Sequence, residues 1–301
     1  MSLLNKTGLR GRSKNGPAKS SLPVVFPSYF PVNIQLPLSC VLSLEQTAPN
    51  PSFRPEGRRL LPSRREKSLS DFGIEDKSGQ TPLICYVTDR RSLREEDPAK
   101  CREALLNKIR KSAEAGVDWI QIREKDLSGR ECARLTMEAM QRVKKATAEE
   151  SSSARVLVND RLDVALAAHA DGVHLGEKSL PAQEARRLRE ALRRKKDFLI
   201  GVSCHSLEAA KSAQQGGADY IFFGPVFSTP SKAAYGSPQG LERLGDVCRA
   251  LSIPVLAIGG ITLKNFASCI SVGASGIAAI RLFQDTAEVA AVVRTLRKIS
   301  D

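Results

Sequence analysis

DWIQIREKD, Asp118–Asp126, begins as a buried strand and ends as a run of charges. Trp119, Ile120 and Ile122 call for an interior, whereas Gln121, Arg123 and Lys125 recur at period two and so fall on one side of an extended chain. A solvated edge, where the strand has simply ended, is the commoner fate of such a cluster. Whether these three side chains face water or a shared cavity depends on what the rest of the chain builds around them.

From Leu83 onward short apolar runs alternate with helical stretches. The runs are LICYVTD, WIQIRE, RVLVND, GVHLG, FLIGVSC, YIFFGP, VLAIGG and GIAAI; helical patterns cover 99–115, 129–146, 182–194, 207–215, 241–251, 263–272 and 286–299. Eight βα units in one stretch predict an α/β fold, a single (β/α)8 TIM barrel over residues 81–301. The alternative, an open doubly wound sheet, lacks a GxGxxG after its first strand. In a barrel the chemistry belongs at the carboxyl ends of the strands. Polar residues stand there on most of them: Thr88, Asp89 and Arg90; Arg123 and Lys125; Asn159 and Asp160; His174 and Glu177; Ser203 and His205; Arg281. Gln121, Arg123 and Lys125 are therefore expected to face a shared cavity.

Residues 1–80 read differently. They are rich in Pro, Ser and Arg, show no sustained period, and carry 12 Lys+Arg against 6 Asp+Glu, so nearly half of the chain's net charge of +13 lies there. A disordered basic extension is the expectation, since its prolines spoil the amphipathic helix of a transit peptide. Basic tails also bind nucleic acid, but this one has no aromatics interleaved with its cations and no accompanying motif, so no nucleic acid is expected as a partner. No membrane partner is expected either, because polar residues and prolines interrupt every apolar run. The seven cysteines show no CxxC and no metal-ligand spacing. Reduced thiols and a cytoplasmic location follow from that usage. Self-association into a homo-oligomer is left open.

The predicted cavity gathers Arg123, Lys125 and Lys232 as cations, with Asp160 as the best-suited metal carboxylate. Several cations beside few carboxylates suit a polyanion with Mg²⁺, which shares its coordination between one or two carboxylates and substrate phosphates. Pyrophosphate is the natural candidate. IGGI at 258–261 offers a second anion site through backbone N–H groups with little hindrance, although a tight turn accounts for Gly259 and Gly260 equally well. Two anion sites imply phosphorylated small molecules as substrates.

QIREKD, VND, DGVHLG, GVSCHS, GADYIFFGPVFSTPSK, PVLAIGGI and GASGIAAI, taken in order over nearly all of 83–301, resemble the thiamine-phosphate synthase family. The resemblance implies a transferase of thiamine biosynthesis. It would condense 4-amino-2-methyl-5-hydroxymethylpyrimidine diphosphate with 4-methyl-5-(2-phosphoethyl)thiazole and release pyrophosphate, with Mg²⁺ as cofactor. It further implies that Gln121, Arg123, Lys125, Asn159, His174 and Lys232 hold the pyrimidine diphosphate and that Asp160 binds Mg²⁺. Ser203 and Thr229 would line the reacting centre and its loop, and Gly260 would take the thiazole phosphate. Lys232, Arg123 and Ser203 carry the catalytic expectation.

Two departures stand out. The family usually reads HLGQxD after the fourth strand, whereas this chain reads HLGEKS, so Ser179 stands where a carboxylate is usual; either Glu177 replaces it as a metal ligand through a small loop shift, or metal binding is weakened. Arg281 stands where a small residue is usual; its strand-end position favours an added charge contact to the thiazole phosphate over the alternative, a surface residue pointing away. The related thiazole tautomerases offer an alternative in which His205 is the acid/base; for His205 a structural role capping the next helix is the plainer reading. A non-catalytic binder of thiamine phosphates is a third.

Overall fold

The structure is a computed structural model that describes residues 81–93, 95–148, 154–192, 197–229 and 237–298. The basic segment 1–80 and Lys232 lie outside the described residues.

Eight parallel strands close into a barrel in sequence order: β1 (Leu83–Val87), β2 (Trp119–Ile122), β3 (Arg155–Asn159), β4 (Gly172–Leu175), β5 (Leu199–Cys204), β6 (Tyr220–Phe223), β7 (Val255–Ile258) and β8 (Gly276–Ala279). Between and after them run α1 (Pro98–Glu114), α2 (Gly129–Ala146), α3 (Leu162–Ala167), α4 (Ala182–Ala191), α5 (Leu207–Gln215), α6 (Gly240–Ala250), α7 (Phe266–Ser271), α8 (Arg281–Gln284) and α9 (Val289–Lys298). The first two helices start where side chains satisfy the free N–H groups. Asp97 accepts from the amides of Ala99 and Lys100 ahead of α1, and Ser128 forms a reciprocal capping box with Glu131 ahead of α2.

The strands alternate between two cores. Ile84, Tyr86, Ile120, Ile122, Val156 and Val158 point outward and pack with the helices, while Cys85, Val87, Trp119, Leu157, Leu199, Tyr220, Phe222, Leu256 and Ala278 form a separate cluster in the bore. Period two along β2 therefore sends Trp119 and Gln121 inward together. Gly201 on β5 must lack a side chain: a Cβ there would fall 2.0 Å from Cζ of Tyr220.

All eight expected strands are present, and the seven expected helices stand within a few residues of the expected limits. Two helices were not anticipated. α3 and α8 are six and four residues long, too short to display a 3.6-residue period. β2 stops at Ile122, so Arg123 and Lys125 leave the strand on a turn instead of continuing its pleat. Cys85 and Cys204 are fully buried, as apolar strand positions require, and burial pushes the Cys204 thiol up to about 12. No helix among the described residues is long and apolar enough to cross a membrane.

Candidate active site

A polar layer caps the apolar bore toward the carboxyl ends of β2 to β5. Gln121 is buried, and its Nε2 donates to Oδ1 of Asn159 at 2.7 Å; its Oε1 is buried with no hydrogen-bond partner among the described residues. Asn159 and His174 are register neighbours on β3 and β4. Both ring nitrogens of His174 are engaged, Nδ1 lying 3.1 Å from Oη of Tyr220 and Nε2 2.9 Å from Oγ of Ser203. Phe222 stacks on the imidazole with ring centroids 4.0 Å apart.

Burial, with a smaller contribution from the charge of Arg123, pushes His174 down to about 3. The ring is thus neutral at ordinary pH. An unfolded chain protonates this histidine near pH 6.5 while the folded one resists, so stability contributed by the neutral ring is complete above pH 6.5 and is lost as pH falls toward about 3. Between pH 7 and pH 5 we expect a loss of up to about 2 kcal/mol in denaturant unfolding, which His174→Asn should largely abolish. Equal losses in both proteins would contradict this origin.

The turn after β2 is held by a clamp that sequence reasoning missed. Glu124, read as part of a charge run, is buried: its carboxylate accepts from Oγ1 of Thr88 at 2.6 Å, from the amide of Arg90 at 3.1 Å and from Nη1 of Arg90 at 3.0 Å. Arg90 also grips Asp126 with both terminal nitrogens, each at 2.6 Å, which holds the Asp126 carboxyl down at about 2. Oγ1 of Thr88 accepts from the amide of Arg123 at 2.9 Å. The even-numbered residues of REKD thus tie the turn to the loop after β1. Arg123 is left half-buried beside His174, and Lys125 is exposed.

Asp160 follows β3 with φ 64, a left-handed conformation that Asp tolerates better than most residues. It is exposed, and Oγ of Ser179 donates to its Oδ1. Glu177 leans elsewhere, its carboxylate 3.9 Å from Nε2 of His205. Nδ1–H of His205 donates to the carbonyl of Gly224, and the cap of α5 is supplied by the neighbouring Ser206, whose hydroxyl accepts from the amide of Ala209 at 3.1 Å. The expected capping role therefore belongs to Ser206 and not to His205.

At the far side of the mouth, Gly259 and Gly260 take φ values of 96 and 67. The β6 loop lies against them, with the amide of Phe227 donating to the carbonyl of Gly259 at 3.0 Å, and a Cβ on Gly260 would come within 2.7 Å of the Ser228 carbonyl oxygen. Asn265, not singled out from sequence, closes the turn: its Nδ2 donates to the Gly260 carbonyl at 2.9 Å and its Oδ1 accepts from the amide of Thr262 at 2.8 Å. Thr229 is half-buried on the β6 loop, and Arg281 is exposed at the start of α8. Gln121, Asn159, His174 and Ser203 are thus linked round one half of the mouth, with Arg123 against them. Gly260 belongs to the β7 turn.

A closed (β/α)8 barrel with a polar, cation-bearing layer over an apolar bore defines an enzyme of the TIM-barrel class whose chemistry sits at the strand ends. Residues 87–283 match the family model described as thiamine monophosphate synthase. A thiamine-phosphate synthase from Methanoculleus marisnigri is 43% identical over 188 residues, covering 62% of this chain and 84% of that one. One from Moorella thermoacetica is 40% identical over 194 residues, 64% of this chain and 87% of the relative. Among solved structures, a thiamine phosphate pyrophosphorylase from Pyrococcus furiosus superposes with a TM-score of 0.60 at 33% identity, over 73% of this chain and 96% of that one. The chain belongs to the thiamine monophosphate synthase family.

Proposed function

We propose that this barrel joins 4-amino-2-methyl-5-hydroxymethylpyrimidine diphosphate to 4-methyl-5-(2-phosphoethyl)thiazole. The bond between the pyrimidine methylene carbon and the diphosphate oxygen breaks first, its electron pair leaving with pyrophosphate. The thiazole nitrogen then gives its lone pair to the methylene cation, which yields the thiazolium of thiamine phosphate with no proton transfer.

The observation that carries this reading is the buried Oε1 of Gln121, an acceptor that meets no donor among the described residues, in the side chain that donates to Asn159. A buried acceptor left unpaired costs about 1–3 kcal/mol, and an aminopyrimidine N–H supplies what it lacks. Arg123 and Lys125 would meet the diphosphate, with Lys232 from the sequence between β6 and α6, so that cationic charge would face the oxygens on which negative charge grows as the bond breaks. Thr229 lies in the same stretch. Gly260 and Arg281 would receive the thiazole phosphate.

The donors near Asp160 suit Mg²⁺. They are oxygens, a carboxylate with the Ser179 hydroxyl upon it, the donor type that Mg²⁺ takes. Such a site leaves positions for water and substrate phosphate. Asp160 would hold the ion, and Glu177, whose carboxylate lies 3.9 Å from Nε2 of His205, would have to turn from that partner to join it. A bound Mg²⁺ would neutralise part of the diphosphate charge.

Gln121→Leu tests the reading through calorimetric binding. Removing the acceptor should weaken the pyrimidine diphosphate about tenfold and leave the thiazole phosphate within about twofold. Equal weakening of both would sink the assignment.

A further inference from the structure

His174 is buried beneath the mouth with both nitrogens engaged, so it meets the substrate through a neighbour. Tyr220 Oη has His174 Nδ1 as its hydrogen-bond partner, and Ser203 Oγ is the partner of Nε2. A neutral imidazole carries one hydrogen, so one nitrogen donates and the other accepts. If Nδ1 carried it, the Tyr220 hydroxyl would accept, and its own proton would be buried without a partner. That arrangement costs about 1–3 kcal/mol. The reverse arrangement satisfies every group: Tyr220 donates to Nδ1, Nε2–H donates to Ser203 Oγ, and the Ser203 proton is free to point into the mouth.

The surroundings hold the relay in place. The missing side chain at Gly201 makes room for Tyr220, since a Cβ there would lie 2.4 Å from its Oη as well as against its ring. Trp119 packs on Tyr220 with centroids 4.6 Å apart, and Phe222 on His174 at 4.0 Å.

The geometry points to Tyr220 as a positioning residue that, through the tautomer of His174, commits the half-buried Ser203 hydroxyl to donating toward the reacting centre. Resting on the reading proposed above, this gives the departing diphosphate a preset hydrogen-bond donor in place of a hydroxyl free to turn either way. A donor aimed in advance costs no reorganisation when charge develops. Sequence alone conceals the role, because YIFF reads as plain core.

The test is Tyr220→Phe in the full 301-residue chain. Proton–nitrogen correlation spectra of histidine-labelled protein should show His174 carrying its hydrogen on Nε2, and a mixture of tautomers in the variant. Turnover should fall about tenfold while both KM values stay within about twofold. In a Ser203→Ala background the same substitution should cost nothing further, since interacting groups are not additive. The thermal midpoint of Tyr220→Phe, measured alongside, separates a folding defect from a positioning one. A wild-type His174 protonated on Nδ1, an unchanged tautomer in the variant, or a full additional loss in the Ser203→Ala background would overturn the inference. The tautomer is read on the free protein, so failure of the unaltered chain to release pyrophosphate would sink the proposed reaction and leave the Tyr220–His174–Ser203 result to be judged by itself.

Discussion

Arg123→Ala should lower the rate of pyrophosphate release about 10²- to 10³-fold, the loss typical when one preorganised electrostatic partner of a transition state is removed. The expectation rests on where the guanidinium stands. It is half-buried beside His174, close enough for its charge to lower that ring's pKa, and its backbone is pinned by Thr88. An arginine there offers a planar fork to phosphate oxygens, so Arg123→Lys should recover only part of the rate. KM for the thiazole phosphate should change little, because the β7 glycine turn lies across the mouth. A loss of tenfold or less in steady-state assays would remove Arg123 from the leaving-group site.

Glu124→Ala should lower the stability of the barrel by about 3 kcal/mol, the lower end for breaking a buried ion pair, because Arg90 keeps Asp126. For a domain of this size that corresponds to a fall of about 6–12 °C in Tm. Burial raises the Glu124 carboxyl above its ordinary range in spite of its bonds from Thr88 and Arg90. What the side chain supplies is an acceptor for the buried Thr88 hydroxyl and for the Arg90 amide, whereas Nη1 of Arg90 keeps Asp126. Glu124→Gln, which keeps one acceptor oxygen, should therefore fall much less than Glu124→Ala in thermal unfolding. A Tm for Glu124→Ala within about 2 °C of wild type would show that the clamp is dispensable.

The clamp also answers the question raised by the REKD run. Arg123 is left to stand beside His174 because Glu124 and Asp126 are tied to Thr88 and Arg90 on the loop after β1. Period two identified the strand and its inward side as far as Gln121, since burial on alternate faces writes itself into the residue pattern. Beyond Ile122 the pattern carries no such information, and four consecutive charges look alike until the loop after β1 supplies partners for two of them. Distance in sequence hides the same kind of partnership at Tyr220: its hydroxyl meets a histidine 46 residues earlier, while its ring satisfies every expectation for core. Strand-end positions for Gln121, Asn159, His174 and Ser203 were legible because a barrel exposes those ends to one mouth. The β7 turn was legible as two glycines, but the reason for them was not, since the backbone that excludes a side chain comes from the β6 loop. In the same way Ser179 was recognised as a departure before its contact with Asp160 gave it a neighbour.

The central claim is that this chain makes a carbon–nitrogen bond at the expense of a pyrimidine diphosphate. The direct measurement incubates the purified full-length chain with both substrates and Mg²⁺ and follows thiamine phosphate by chromatography and pyrophosphate by phosphorus NMR. The account predicts equal amounts of the two products, no pyrophosphate when the thiazole phosphate is hydrolysed to its alcohol beforehand beyond a slow background, and loss of both products when the divalent ion is chelated. Rearrangement of the thiazole without release of pyrophosphate would instead place His205 at the centre of the chemistry, and tight binding of both substrates with no turnover would make the protein a binder; either result contradicts the account.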